Sequence, residues 1–243
     1  MEIKPNNIYC GNSYELIKNI PDKSIDLVYV DIPYDYTNGG KGGGFLKSEA
    51  RKKTYIDTIG KFDKGIDWSI LDEFCRVLKH IYIWCNDKQI ADYLDFFVRE
   101  HNCDYKILGF HKTNPMPSYH KRFMDDIEYC LFFVEKGKQK FYGTDTYNNS
   151  FKIYSSPINT YDKDKYEHAS IKPYQCVKNH LEKTCKSGMV VLDSFCGSGT
   201  VPKVCQELGL NFIAFEIDKK WWQVANDRLN GIDTNGNVNL FDL

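Results

Sequence analysis

Short apolar runs alternate with segments of helical periodicity along most of the chain. Runs rich in β-branched and aromatic residues that end at turn residues are typical of buried strands. The pattern predicts strands over 8–10, 25–30, 81–85, 105–111, 127–135, 189–193 and 212–216. It predicts helices over 14–19, 68–79, 88–99, 174–184, 201–208 and 221–229. This alternation indicates an α/β domain whose mostly parallel sheet is covered by helices on both faces.

Two segments interrupt this alternation. Residues 35–67 contain a glycine-rich stretch, and residues 136–166 are rich in lysine and tyrosine without a clear period. Stretches this long without structure are usually functional or disordered. Both segments lie within one domain that spans 1–243, and their position suits a functional role.

Composition limits the partners, the metal content and the cellular location that we expect for this chain. The net charge of -1 argues against a uniformly basic surface, although a local basic groove is compatible with it. The nine cysteines include no C-x-x-C pair, which favours reduced thiols in a cytoplasmic protein. The six histidines show no metal-ligand spacing, so we expect no catalytic metal. No apolar signal region or membrane-spanning stretch is present, and no membrane partner is expected.

Two predicted strands end in residues that carry chemistry. The strand 25–30 runs into Asp31-Ile32-Pro33-Tyr34, and the strand 189–193 runs into a glycine-rich turn that ends at Thr200. In open α/β sheets, ligands bind at the carboxyl ends of the strands. The turn lacks the Gly-Lys-Ser/Thr of a phosphate loop and the third glycine of G-x-G-x-x-G. Glu216 ends the following strand, where a carboxylate can accept hydrogen bonds from both hydroxyls of a ribose.

Together the two motifs resemble those of amino-directed DNA methyltransferases. Asp193-x-Phe195-x-Gly197-Ser198-Gly199-Thr200 resembles their S-adenosylmethionine motif, and Asp31-Ile32-Pro33-Tyr34 resembles their catalytic D-P-P-Y. The catalytic motif comes first, which is the order of the β group. The resemblance spans residues 7 to 230 and also includes Arg76-Val77-Leu78-Lys79, Lys112-x-Asn114-Pro115 and Lys172-Pro173. It implies a Rossmann-like methyltransferase fold with circularly permuted motif order and a small inserted target-recognition region.

The resemblance also implies the cofactor and the residues around it. The cofactor would be S-adenosylmethionine, with S-adenosylhomocysteine as the product. Glu216 would take the ribose hydroxyls, and Asn12, where many relatives carry aspartate, would lie near the adenine. Lys172 and Pro173 would border the pocket. The full implied cofactor set is Asn12, Asp31, Lys172, Pro173, Asp193, Phe195, Gly197, Ser198, Gly199, Thr200, Glu216 and Ile217.

The implied catalytic residues are Asp31, Ile32, Pro33 and Tyr34. The exocyclic amine of a base is a poor nucleophile because its lone pair is delocalised into the ring. Asp31 would accept one amino hydrogen and the Ile32 carbonyl the other, and such positioning lowers the barrier. Tyr34 would stack on a base that has left the duplex. Ile32 replaces the family's first proline but keeps the backbone carbonyl, and we interpret Cys196 as a packing residue and not as a nucleophile.

Lysines near aromatic residues flank the catalytic motif and suit contacts to a nucleic-acid backbone. We therefore interpret 35–67 as a flexible DNA-contact loop and 136–166 as a target-recognition region. The expected partner is double-stranded DNA; the resemblance is compatible with a homodimer and with a cognate restriction endonuclease, and it specifies neither. The expected host is prokaryotic or a phage. The predicted DNA contacts are Lys52, Lys53, Lys112, Asn114, His120, Lys121 and Arg122.

Aspartate at the first motif position favours adenine N6 as the methylated atom, so a site-specific adenine methyltransferase is the leading hypothesis. Cytosine-N4 methylation is the alternative enzyme activity. A catalytically silent DNA-binding relative is a further alternative, which the isoleucine at position 32 favours weakly. Methylation of RNA or of a protein amide is a third, although glutamine methyltransferases use N-P-P-Y and Asp31 argues against the protein substrate.

Overall fold

The computed structural model describes residues 2–32, 66–78, 80–115, 123–139, 141–142, 152–158, 160–168 and 170–236. The strands are β1 (Asn7–Cys10), β2 (Leu27–Asp31), β3 (His80–Cys85), β4 (Cys103–Lys112), β5 (Ile127–Glu135), β6 (Ile153–Ser156), β7 (Val190–Asp193) and β8 (Asn211–Glu216). The α-helices are α1 (Ser13–Leu16), α2 (Ser69–Val77), α3 (Ile90–Leu94), α4 (Thr160–Tyr166), α5 (Tyr174–Thr184), α6 (Thr200–Glu207) and α7 (Lys219–Leu229).

The described strands form one sheet in the order β1-β8-β7-β2-β3-β5-β4-β6. Neighbours run parallel except at β5, which is antiparallel to both β3 and β4. The strands β2 and β7 pair directly, with Val28 beside Leu192. The carboxyl ends of β2, β7 and β8 therefore meet at one edge of the sheet, and the amino end of β5 lies at that same edge.

Apolar residues cover both faces of the sheet, which explains why the strand sequences are continuously apolar. Along β2, Leu27 and Tyr29 face a core that includes residues of α5, α6 and α7. Val28 and Val30 face the opposite core, which includes residues of α2 and α3. Because side chains alternate along a strand, Asp31 points to the same face as Leu27 and Tyr29. That face is the one on which α5 lies.

The predicted α/β fold class is confirmed, and two details differ from the prediction. The segment 136–166 contains the strand β6 and the helix α4, although its sequence shows no period. The strand β6 has only four residues and pairs through its backbone with the end of β4, so its side chains carry little pattern. The predicted helix 88–99 is split into a 3₁₀ turn (Asp87–Gln89), α3 and a π-helical turn (Asp95–Glu100).

Candidate active site

The end of β2 presents one carboxylate at the sheet edge. The side chain of Asp31 is 28% exposed, whereas Ile32 is only 1% exposed and belongs to the core under α2 and α3. Ile32 therefore anchors the chain just beyond the strand by apolar packing. Pro33 and Tyr34, the other two predicted catalytic residues, lie outside the described residues.

Asp31 belongs to a chain of four alternating charges. Lys172 Nζ lies 2.7 Å from Asp31 Oδ2 and 3.2 Å from Glu128 Oε2. Lys112 Nζ lies 2.8 Å from the other oxygen of Glu128, Oε1. Glu128 is the second residue of the antiparallel strand β5, which explains why it reaches the edge where the parallel strands end. We name Lys112, Glu128, Lys172 and Asp31 the charge chain.

Burial and charge oppose each other within the charge chain. Burial acts to lower the pKa of Lys172, but the charges of Asp31 and Glu128 outweigh it and raise that pKa above its usual value. Burial acts to raise the pKa of Glu128, but the ammonium groups of Lys172 and Lys112 lower it to about 2. Lys172 and Glu128 are therefore both ionised at neutral pH.

A polar and aromatic network lies beneath Lys172. Its Nζ sits 5.2 Å from the centroid of Trp84, a fully buried residue on β3. Trp84 Nε1 donates to the hydroxyl of Tyr29, which lies 3.1 Å from His180 Nδ1. Tyr29 and His180 therefore share a hydrogen bond, and the tautomer of the imidazole decides which of the two groups donates. Burial lowers the pKa of His180 to about 4, in agreement with a neutral ring.

The glycine-rich turn after β7 is held mainly by backbone hydrogen bonds. Cys196 N donates to Phe215 O at 3.0 Å, and Gly199 N donates to Cys196 O at 2.8 Å. Gly197 and Gly199 have φ values of +50° and +77°, a region that suits glycine. A Cβ on Gly199 would lie 2.9 Å from the Cβ of Ala225, so α7 approaches the turn closely.

Two carboxylates brace the same turn. Glu216 Oε2 accepts from Gly197 N, and Glu216 Oε1 accepts from Asp218 N, both at 2.8 Å. Asp193 Oδ1 accepts from Phe195 N at 3.2 Å. Burial raises the pKa of Asp193 well above its usual value and also raises the pKa of Glu216, against which the backbone donors act. Glu216 therefore fixes the turn, in addition to its predicted role toward a ribose.

Two residues that the sequence did not single out, Arg228 and His168, lie against the turn. Arg228, only 3% exposed, donates from Nη1 to Thr200 Oγ1 at 2.9 Å and lies 4.4 Å from the ring centroid of Tyr166. His168 Nε2 lies 3.0 Å from where a Cβ on Gly197 would be. Burial, helped by nearby cations such as Lys172 and Arg228, lowers the pKa of His168 to about 4. Arg228 lies in the last turn of α7, where an arginine side chain is usually exposed to solvent.

The remaining predicted cofactor residues lie around the turn or beside it. Ser198 and Thr200 are buried within it, and Ile217, just after β8, is 60% exposed. Pro173 precedes α5, where its carbonyl accepts from Cys176 N at 3.1 Å. Asn12 Oδ1 accepts from Tyr14 N at 3.0 Å, so this side chain caps α1. Contact of these residues with a cofactor remains a prediction.

The aromatic ring of Phe195 extends the turn toward α1. It meets Tyr14 edge-on, with ring centroids 6.5 Å apart. The hydroxyl of Tyr14 accepts from Asp67 N at 3.0 Å, at the end of the predicted loop 35–67. Tyr14 of α1 therefore connects the cofactor turn, through Phe195, with Asp67 at the end of the segment 35–67.

The predicted DNA contacts divide into two groups. Lys112 is bound in the charge chain, and Asn114 Oδ1 accepts from Ile158 N at 2.7 Å, next to β6. The remaining predicted contacts lie outside the described residues; they are Lys52, Lys53, His120, Lys121 and Arg122.

Two further searches concern only the described part of the chain. There, no group of three or more histidine, cysteine or acidic residues has an arrangement that would hold a metal ion. None of the helices found there is long and apolar enough to cross a membrane.

Comparison with known proteins places the chain in a family. The profile of the N6/N4 methyltransferase family, described as DNA methylase, matches residues 25–227. The Type II methyltransferase M.HinfI of Haemophilus influenzae is 31% identical over 258 residues, which cover 96% of this chain and 70% of M.HinfI. M.HpaI of Haemophilus parainfluenzae, also a Type II methyltransferase, is 28% identical over 93% of this chain and 76% of its own length.

Solved structures show the same fold. The crystal structure of an M1.HpyAVI–SAM complex has a TM-score of 0.66 at 23% identity, covering 92% of this chain and 98% of that one. PvuII DNA methyltransferase, described as cytosine-N4-specific, has a TM-score of 0.70 at 14% identity, covering 93% of this chain and 86% of its own. At these identities the likeness establishes the fold alone.

Proposed function

The chain belongs to the family of amino-directed DNA methylases, and from that premise we propose that it transfers a methyl group from S-adenosylmethionine to the N6 amino group of adenine in double-stranded DNA. DNA methyltransferase activity follows from the family. The choice of adenine rests on Asp31 at the first position of the catalytic motif.

One observation carries the proposal: β2 and β7 are direct neighbours in the sheet. Asp31 and Asp193 are far apart in the sequence, yet their strands run parallel and end at the same edge. Group transfer requires the acceptor and the donor to be held side by side. The pairing of β2 with β7 supplies this arrangement for the catalytic carboxylate and the cofactor turn.

The turn fits a nucleoside cofactor. Its glycines let a ligand approach the backbone closely, and the buried carboxylate of Glu216 keeps acceptor capacity beyond the two amides that it binds. We propose that Glu216 accepts from the ribose hydroxyls and that Phe195 and Gly197 border the methionine side. S-Adenosylmethionine, when bound, would supply a methyl group activated by its attachment to a sulfonium, whose leaving group is a neutral thioether.

The role of the catalytic edge is to prepare the amine. Asp31 accepts one amino hydrogen and the Ile32 carbonyl accepts the other, which draws the nitrogen lone pair out of conjugation with the ring. The burial of Ile32 fixes this carbonyl although the family's usual proline is absent. The target base must leave the duplex to reach this edge, and we propose that Tyr34 stacks on it.

We propose that DNA lies against the segments that flank this edge, 35–67 and 111–122, and that 136–166 reads the recognition sequence. Lysines in these segments suit phosphate contacts, which position the protein on the duplex without specifying sequence. The experiment for this contact is limited proteolysis. Cutting within 35–67 should slow when DNA and cofactor are added, and an unchanged rate would contradict the loop assignment.

The test of the function is to identify the methylated nucleoside. Purified protein, labelled S-adenosylmethionine and unmethylated genomic DNA are incubated, and the digested nucleosides are analysed by mass spectrometry. We expect N6-methyladenine, and none from the Asp31→Ala variant. N4-methylcytosine would instead establish the alternative activity, which the fold shared with PvuII methyltransferase also accommodates. Absence of any methylated nucleoside would overturn the proposal.

A further inference from the structure

We propose that Lys172 is a positioning residue for the catalytic carboxylate: it holds Asp31 ionised and correctly oriented, and Glu128 in turn holds Lys172. This inference rests on the proposed function, since it assigns Asp31 the role of accepting an amino hydrogen. It differs from the expectation for Lys172 drawn from the sequence, which placed this residue at the border of the cofactor pocket.

The position of Lys172 supports this assignment. Its side chain is 8% exposed and its Nζ contacts two carboxylates, Asp31 at 2.7 Å and Glu128 at 3.2 Å. Burying an ammonium group is costly unless it is paired and hydrogen-bonded. The two carboxylates provide that pairing, and Trp84 provides an aromatic surface 5.2 Å from the charge. Three groups therefore hold the ammonium group of Lys172: Asp31, Glu128 and Trp84.

The chemistry explains why such a residue is needed. Asp31 is the strongest hydrogen-bond acceptor for the amine while it is ionised and aimed at it. A cation beside a carboxylate favours its ionised form. An ion pair through Oδ2 also restricts rotation of the carboxylate about its last bond, so the acceptor is oriented before the base arrives.

Glu128 connects the ion pair of Lys172 and Asp31 to the sheet. Glu128 binds Lys172 Nζ in addition to Asp31 and so limits how far the ammonium group can follow movements of the Asp31 side chain. Glu128 is itself fixed because its second oxygen binds Lys112, and because it belongs to a strand that pairs on both sides. The rigid sheet thus holds the carboxylate of Asp31 through Glu128 and Lys172.

The charge chain offers a way to separate positioning from stability. Lys112, Glu128, Lys172 and Asp31 together are neutral. Lys172→Met leaves two carboxylates with one cation and should destabilise the fold. Adding Glu128→Gln restores neutrality, because Lys112 and Asp31 then remain as one positive and one negative charge. The double variant should therefore unfold at a higher temperature than Lys172→Met.

The test compares methyl transfer in wild type, Lys172→Met, Lys172→Met/Glu128→Gln and Lys172→Arg. We expect Lys172→Met to lower kcat by about 100-fold, the loss typical of one preorganised electrostatic contact. The double variant should recover stability but not kcat, and Lys172→Arg should recover part of kcat. The acidic limb of the kcat profile should move to higher pH in Lys172→Met. The matched control is Lys178→Met, which removes the surface ion pair with Glu207 and should leave kcat unchanged.

Each contrary result has a separate meaning. Recovery of kcat together with stability in the double variant would overturn the inference and leave Lys172 a structural residue. Loss of S-adenosylmethionine affinity in Lys172→Met, measured by calorimetry, with kcat retained, would also overturn it in favour of a cofactor contact. If wild type transferred no methyl group to DNA, the proposed function would fail, and the inference with it. Wild-type transfer with an unaffected Lys172→Met variant would overturn the inference alone.

Discussion

The catalytic edge and the cofactor turn lie on neighbouring strands, but different forces hold them. Asp31 is held by the charge chain, whose members come from four separate places in the sequence. The turn at Gly197 and Gly199 is held by backbone amides and by close contact with α7. Ion pairs between side chains therefore determine the geometry of the first region, whereas the backbone conformation of the second is fixed by its own amides, by Glu216 and Arg228 and by α7. Substitutions that remove a charge from the charge chain should mainly affect the catalytic edge. Substitutions that add bulk to the turn should mainly affect the cofactor turn.

The largest expected effect is that of Asp31→Ala on the rate. We expect kcat to fall at least 1,000-fold, since both the acceptor and its ion pair are lost. Affinity for S-adenosylmethionine should stay within about threefold of wild type, because the turn is held independently of Asp31. Single-turnover kinetics and calorimetry measure the two quantities. A loss of cofactor affinity as large as the loss of rate would show that the two regions are not independent.

The reciprocal change is Gly199→Ala, which adds bulk to the turn. Its Cβ would lie 2.9 Å from that of Ala225, and its φ of +77° is itself unfavourable for alanine. We expect a loss of about 3 kcal/mol in the free energy of unfolding, and about tenfold weaker cofactor binding.

Gly188→Ala is the matched control for this substitution. Gly188 has a similar φ, +86°, but nothing within 4 Å of the added Cβ. It should lose only about 1 kcal/mol, the cost of the backbone conformation alone. Urea unfolding measures both variants, and equal losses would mean that contact with α7 does not constrain the turn.

A pH change should affect both regions, because each lies against a buried neutral histidine. The pKa of His168, at the turn, and that of His180, beneath the catalytic edge, are both lowered to about 4. The unfolded chain binds these protons near pH 6.5, so their contribution to stability is complete above that pH and is lost progressively as the pH falls toward 4. At pH 5 each histidine should cost about 2 kcal/mol relative to pH 7.

The raised pKa values of Asp193 and Glu216 have the opposite sign, since these groups bind protons more readily in the folded state. A histidine variant is therefore needed to separate the contribution of His180 to the pH dependence of stability from that of the carboxyl groups. His180→Asn keeps an acceptor for Tyr29 but has no group that titrates in this range. Urea unfolding between pH 7 and pH 5 should show a smaller loss in this variant than in wild type. An identical pH dependence would exclude a contribution from His180.

The smallest expected effect is that of Arg228→Lys. Lysine keeps the charge but loses the planar fork that binds Thr200 and lies over Tyr166. Cofactor affinity should fall about threefold to tenfold while kcat at saturation stays near wild type. Arg99→Lys, at an exposed ion pair with Asp95, is the control and should change neither quantity. Calorimetry and steady-state kinetics would detect the difference, and a reduced kcat alone would contradict the assignment of Arg228 to the turn.

The sequence predicted the parts of the site that follow from local pattern. An apolar run that ends in Asp31, and another that ends in Asp193, place both residues at strand ends, and parallel strands bring such ends together. The helix 174–184 was predicted with the bounds that the structure shows. These features depend on residues close together in the sequence, which is why they could be predicted.

The parts that the sequence did not reveal depend on contacts between distant segments. Glu128 looked like one more residue of an apolar strand, because nothing in its surroundings shows that β5 runs antiparallel and starts at the active edge. Arg228 lies in the last turn of a helix, where an arginine is usually solvated, and only the packing of α7 on the turn buries it. The strand β6 was missed because a four-residue edge strand is defined by its backbone partner.

The alternation of side chains along β2 has one more consequence. Asp31 shares a face with Leu27 and Tyr29 because it lies four positions after the first and two positions after the second. Inserting or deleting one residue between Asp26 and Asp31 would turn either the core residues or the carboxylate to the opposite face. A one-residue change in the length of this strand would therefore disrupt the core and the active edge together, whereas an apolar substitution within it would affect packing alone.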